Sequence, residues 1–256
     1  IGGQIMAVTG PLARCVKDLE IALKAMSIEN YEDPWGTPIP FSFPIPEKKV
    51  ALLTKIEGLK TDPVIINELK IVARKLEESG WVVEEPKAPN FQEAANFQAT
   101  LWLGEFRRTG GEAISRENDP DANFIYSQMS KRCPDTSIEK FMDSLQQRGR
   151  ISREWNKFFD KYPLILCPIT GDIPFPDLKD LESEESFDLV FESMLPLIAP
   201  PYMGLPGLSF ATSQTKQKIP LGVQFISKKF REDLLLNVAY DLEKHYPKIK
   251  PVLPSF

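Results

Sequence analysis

Apolar positions along the chain repeat with two different periods, and the changes of period mark the elements. Val50–Leu53 is a continuous apolar run of strand length, the pattern of a strand buried on both faces. Asp62 and Pro63 then read as a helix start, with proline in the first turn, where its missing N–H has no partner to lose. Val64, Ile65, Leu69, Val72, Ala73 and Leu76 recur at helical spacing as far as Gly80, and Trp81–Glu84 reads as a second strand. Strand, helix and strand in this order predict a right-handed crossover joining parallel strands. Further helices are predicted over 13–26, with Val16, Leu19, Ala22, Leu23 and Met26 turned to a core, and over 91–108, ended by Gly110–Gly111. A long helix covers 137–161, and Pro163–Pro168 reads as a buried strand. Asn30–Pro46, which holds five prolines, and Asn118–Ala122 read as loops, and Trp35 as a packing residue.

The 256 residues are 42% hydrophobic, ample for a sizeable core in one large domain. A net charge of −5 with scattered lysines and arginines argues against a general nucleic-acid binder. No apolar run reaches membrane-span length, and the first residues lack the pattern of a signal peptide. Three widely spaced cysteines, Cys15, Cys133 and Cys167, make neither a zinc pattern nor a disulfide framework, which points to a reducing cytoplasm. The sequence opens on Ile1, and reads as a fragment or a split gene product.

Signals are densest over Pro196–Leu242. A Pro-rich loop leads to Gly204-Leu205-Pro206-Gly207, which cannot continue a helix. Leu208–Thr212 and Leu221–Ile226 read as strands around a polar turn at Thr215–Lys218. Arg231-Glu232-Asp233 opens an amphipathic helix with acids facing the helix dipole. GLPGLS at 204–209, IPLGVQFIS at 219–227 and EDLLLNVAYDLE at 232–243 together resemble the C-terminal end of the amidase signature family. GPLARCVKDL at 10–19 resembles that family's helix entry, so two ordered matches cover most of the chain.

The resemblance implies an α/β fold, a mixed β-sheet flanked by α-helices, over a single partial domain spanning 1–256. It implies hydrolysis of a carboxylic amide to an acid plus an amine or ammonia, with no metal or organic cofactor. In the family a Lys–Ser–Ser triad does this work from a GGSSGGS-type segment and a following G-S-R-P segment, with backbone amides holding the oxyanion. Neither segment is present here, so no catalytic residue carries over and the chain is expected to be inactive alone. What carries over is pocket wall: Thr170 after the 163–168 strand, and Tyr202 and Met203 before the GLP turn. Family members acting on glutamine side chains carry an aspartate upstream of the GLP glycine. Met194 falls at that place and implies a more apolar amide or ester.

The strands present are too few for the family's large sheet. The resemblance therefore implies self-association or binding of a separately made N-terminal part. A reading from another class is a non-enzymatic remnant that kept the scaffold as a binding or interaction module; a GGSSGG-bearing partner or upstream segment separates the two. The chain's own candidates for chemistry read as structural. His245, the only histidine, lies near a helix end; Cys167 sits in an apolar strand that predicts a buried, inert thiol; Cys15 reads as packing. Asp172 and Asp177 lie in a loop, and Glu182, Glu184 and Glu185 form a solvated helix start.

Overall fold

The computed structural model describes residues 2–134 and 136–247. In chain order the elements are α1 (Gly2–Met6), α2 (Val16–Met26), β1 (Lys49–Leu52), α3 (Pro63–Glu78), β2 (Val82–Glu84), α4 (Phe91–Thr109), α5 (Gly111–Glu117), α6 (Pro120–Arg132), α7 (Ile138–Lys161) and β3 (Leu164–Cys167). A 3-10 turn at Lys179–Leu181 follows, then α8 (Glu184–Ser193), α9 (Leu195–Met203), β4 (Gly207–Gln214), β5 (Pro220–Ser227) and α10 (Glu232–Glu243).

The strands form one mixed sheet in the order β2-β1-β3-β5-β4. β1 runs parallel to β2, as the strand–helix–strand pattern predicts, and also to β3, while β5 is antiparallel to β3 and to β4. Alternation along the central strands sends side chains to two cores. Val50, Leu52, Leu164, Leu166, Val223 and Phe225 face α3 and α10. Ala51, Leu53, Ile165, Cys167 and Ile226 face α4, α7 and α9. Because helices cover both faces, these strands carry apolar side chains to both faces rather than to alternate positions, with Gln224 and Ser227 of β5 the buried polar exceptions.

The helix starts follow their sequence signals. Asp62 caps α3, accepting from the Val64 amide at 2.7 Å, and Asn90, Ser137 and Ser183 cap α4, α7 and α8 in the same way. Gly80 takes a positive φ of 83° to turn the chain from α3 towards β2.

Three segments differ from the sequence reading. Asn118–Ala122 is not a loop throughout: Asp119 accepts from the Asp121 and Ala122 amides, both at 2.9 Å, and starts α6 with Pro120 in its first turn. This is the same Asp-Pro start that marks α3. The stretch 200–203, expected as a Pro-rich loop after a helix end, continues the helix α9, with Pro200 and Pro201 inside it. A proline at 200 leaves the carbonyl of residue 196 without its helical donor, and Gln224 on β5 supplies one, its Nε2 donating to Pro196 O at 3.0 Å. Finally, the apolar stripe of α2 is only partly covered. Val16 is buried, but Met26 is exposed, as is Trp35, which was expected to pack.

Candidate functional site

Beyond the α4–α9 face of the sheet, α4, the α6–α7 connection and the α8–α9 junction enclose a cleft of about 660 Å³, within the size range of small-molecule pockets. Its walls are built from Phe97 and Leu103 on α4, Met129 and Cys133 at the end of α6, and Phe191, Met194 and Ile198 across the α8–α9 junction. Arg107 on α4 holds the α6–α7 connection in place by donating to the carbonyls of Ser130, Cys133 and Pro134. Arg132 reaches the cleft rim, but its charge is already engaged. It donates to Asp188 at 2.9 Å and to Glu192 at 3.3 Å, and its guanidinium lies 4.8 Å from the centre of the Phe191 ring. The remaining charges in the lining are Lys140 and Asp143, and Gln92, Asn96, Thr100 and Ser144 add amides and hydroxyls to the apolar walls.

The four residues expected to form pocket wall fall into two layers. Met194, half-buried at the α8–α9 junction, lines the cleft itself. Thr170 lies in the loop leaving β3, its hydroxyl donating to Asp172 O at 2.8 Å. That loop is tied to the same junction, since the Gly171 amide donates to Ser193 O at 2.7 Å and Gly171 O accepts from the Asp62 amide at 2.8 Å. A Cβ at position 171 would meet the Lys60 carbonyl oxygen at 2.4 Å, so this close approach needs glycine. Tyr202 and Met203 are buried behind the wall. The Tyr202 phenol donates to the Ser144 carbonyl, and its ring stacks on Phe97 at 5.9 Å. Ser144 and Phe97 both line the cleft. Burial pushes the Tyr202 phenol well above the usual tyrosine range.

A second groove of about 540 Å³ runs between residues 5–13, α2, α10 and the 204–209 turn. Gly204 ends α9 with a φ of 68°, which turns the chain sharply into the groove wall. Arg148 on α7 ties the walls together, donating to Tyr202 O and to Ile5 O.

One constellation went unseen in the sequence because its members are far apart in the chain. Ser79 Oγ lies 2.7 Å from His245 Nε2, and His245 Nδ1 lies 3.5 Å from Glu78 Oε2. The order hydroxyl, imidazole, carboxylate is that of a hydrolytic triad. Such a site also needs amide donors aimed at a developing oxyanion. Here the amides of Ser79, Gly80 and Trp81 are all spent on carbonyls at the end of α3. Lys75 donates to His245 O at 3.2 Å. The group is a clasp between the ends of α3 and α10. Cys167 is fully buried, and burial, partly opposed by a contact from Gln224, pushes its thiol up to about 12. Among the described residues, no group of three or more His, Cys, Asp or Glu comes together as metal ligands would.

The Amidase family model matches residues 2–236, nearly the whole chain. The chain belongs to the Amidase family. It is 29% identical over 242 residues to the indoleacetamide hydrolase of Bradyrhizobium diazoefficiens, covering 93% of this chain and 46% of that protein. It is 29% identical over 244 residues to the indoleacetamide hydrolase of Bradyrhizobium japonicum, covering 94% of this chain and 52% of that one. Among solved structures, a fatty acid amide hydrolase superposes with a TM-score of 0.73 at 19% identity, over 94% of this chain and 50% of the other. A 6-aminohexanoate cyclic dimer hydrolase gives 0.72 at 18% identity, over 92% and 54%. This Amidase-family chain thus spans about half the length of the curated relatives it matches. Its mixed sheet with flanking helices is the fold that these structures share with it.

Proposed function

We propose that this chain is the C-terminal part of an amidase that hydrolyses a carboxylic amide to an acid plus an amine or ammonia, and that it supplies scaffold and pocket wall while being inactive alone. The observation that carries this reading is the cleft at the α8–α9 junction, in which the Ser144 hydroxyl is spent on Lys140 O and the Cys133 thiol contacts Thr100 Oγ1 and Pro134 O, with no base beside either. Attack on an amide carbonyl needs an activated nucleophile, a base and aligned donors. In this reading all three come from the remaining half of the fold, and Met194, with Phe97, Phe191 and Ile198, receives the apolar body of the substrate. Thr170 sets the height of the β3 loop beside that junction, and Tyr202 and Met203 hold the wall from behind. The apolar side chains of Phe97, Phe191, Met194 and Ile198 suit an amide with an aromatic or aliphatic body, as in the indoleacetamide named for two relatives, better than a glutamine side chain. The whole of 1–256 forms one partial domain in this reading, working in the reducing cytoplasm, with three free thiols.

The test uses the chain by itself and with added partner. Indole-3-acetamide hydrolysis, read as ammonia release, and labelling by a serine-directed fluorophosphonate are measured on the purified chain. Both are then repeated after adding the part of the Bradyrhizobium diazoefficiens relative that lies outside the match. The expected result is no turnover and no labelled serine in the chain alone, with both appearing only in the mixture and the label on the added part. Turnover by the isolated chain, or stoichiometric label on any of its serines, would overturn the reading.

A further inference from the structure

The cleft has walls of two kinds. α4 is seated by burial, with Phe91, Ala94, Ala95, Leu101 and Leu103 in the interior, and close packing leaves it little freedom to shift. α6 buries only Gln128, yet Met129 within it and Cys133 just beyond its end line the cleft. Along its length α6 meets α4 through an edge-on contact of Tyr126 with Phe106, ring centres 5.8 Å apart. At its C-terminal end it is fastened by charge from both sides. Arg107 reaches across from α4 and donates to the carbonyls of Ser130, Cys133 and Pro134. Carbonyls in the last turn of a helix lack helical donors and form the negative end of its dipole, so a guanidinium there answers both. On the α8 side Arg132 bonds Asp188 and Glu192 and lies against Phe191, and Lys131 pairs with Glu184 at 2.6 Å.

The two fastenings differ in strength. Glu184, Asp188 and Glu192 are 54%, 44% and 68% exposed, and ion pairs so open to solvent contribute little and are screened by salt. Arg107 is half-buried, and its planar fork holds several carbonyls at fixed angles, which the point charge of a lysine does not. Without it the end of α6 keeps neither burial nor strong bonds to hold Met129 and Cys133 in place. We propose that Arg107 is a positioning residue for the cleft: through the end of α6 it holds Met129 and Cys133 as a fixed wall, and so selects amide bodies by their width. This rests on the reading of the cleft as the place that receives the body of the amide, and assigns the residue that fixes its dimensions.

Calorimetric titration of the purified chain with phenylacetamide and with the wider 1-naphthylacetamide tests this, beside hydrogen exchange of α6. Arg107→Ala should weaken phenylacetamide roughly tenfold and 1-naphthylacetamide by about threefold or less, so the preference moves towards the wider amide. Exchange should quicken in α6 and stay unchanged in α4 and β3. Adding about 50 mM guanidinium chloride, with sodium chloride as the control, should restore the original preference by refilling the place of the fork. Arg107→Lys, which keeps the charge and loses the fork, should fall between the two. A uniform loss for both amides, an unchanged preference, or no effect of guanidinium beyond that of salt overturns the proposal. So does the absence of binding of either amide to the wild-type chain at about 10 mM. If Arg107→Ala exchanges throughout, Arg107→Lys decides: a shifted preference with β3 protected supports the role, and an unchanged one removes it. Turnover is measured separately, after adding the part of the Bradyrhizobium diazoefficiens relative that lies outside the match. A shifted preference without turnover keeps Arg107 in this role and removes the amidase reading. Turnover whose KM for both amides is untouched by Arg107→Lys keeps that reading and removes the role.

Discussion

Asp241 on α10 is the carboxylate on which stability should depend most visibly. Its Oδ2 accepts from Lys48 Nζ at 2.7 Å and from Trp81 Nε1 at 3.1 Å, and its Oδ1 accepts from Lys244 Nζ at 2.8 Å. The side chain is 13% exposed, and it fastens α10 to the segments that begin β1 and β2. Burial by itself would raise its pKa; the donors from Lys244, Lys48 and Trp81 together outweigh burial and bring it down to about 2. Against an unfolded value near 3.9, that depression is worth at most roughly 2.5 kcal/mol at neutral pH. Lys48 and Lys244 are 40% and 69% exposed, and solvent screening of such partners reduces the figure to about 1–2 kcal/mol. The sign follows from linkage. A carboxylate with a depressed folded pKa stabilises fully above its unfolded value, and the contribution is lost as pH falls through the folded one. Asp241→Asn should therefore cost about 1–2 kcal/mol at pH 7. That difference should persist to about pH 5, shrink below it, and close near pH 2. Urea unfolding of the two proteins across this range measures it, with an unchanged m-value showing that the same surface unfolds. A difference that stays constant down to pH 2, or widens in acid, would refute the account of Asp241 as an ionised, hydrogen-bonded anchor.

Cys167 should react with a thiol reagent at pH 8 only as the chain unfolds, while the half-buried Cys15 reacts in the native state; fast native labelling of Cys167 would count against the buried, inert thiol. Gln224→Leu removes the donor that replaces the missing proline amide in α9, leaves the buried Pro196 carbonyl unpaired, and should cost about 1–3 kcal/mol in a thermal or urea melt. A loss within experimental error would mean that α9 tolerates its prolines without help from β5.

The parts of the fold legible in the sequence are those whose signal is local. The run Val50–Leu53, the Asp62-Pro63 start and the spacing from Val64 to Leu76 each needs only neighbours along the chain to be read. α6 carries the same Asp-Pro start, but only Gln128 in it is buried, so no clear apolar stripe follows the cap to announce a helix. α9 was illegible for a different reason. Its prolines predict a break, and what overrides them is a side chain on β5, distant in sequence. The cleft shares that difficulty. Periodicity showed that α4 and α7 each have an apolar face, but not that Phe97, Met129 and Met194 would converge across three separate connections. Resemblance named Thr170, Met194, Tyr202 and Met203 together as pocket wall, without showing that Met194 alone of them lines this cleft and that Tyr202 is buried one layer behind.

The motifs that betray the family and the residues that hold the chain together overlap only in part: IPLGVQFIS at 219–227 and EDLLLNVAYDLE at 232–243 put Val223, Phe225, Leu234 and Leu242 into the core. Leu52, Leu69 and Leu166 make the core, yet any well-shaped set of aliphatic side chains packs a sheet between helices, so such positions say little about ancestry. Parts of the other two motifs are uncovered: Leu12 in GPLAR at 10–14 is almost wholly exposed, and in GLPGLS at 204–209 Gly207 and Ser209 are exposed while Leu208 between them is buried. Within the described residues the chain closes its core around β1, β3 and β5, so the family pattern in β5 and α10 is one that packing alone can explain, whereas that of the mostly exposed residues 10–14 is not.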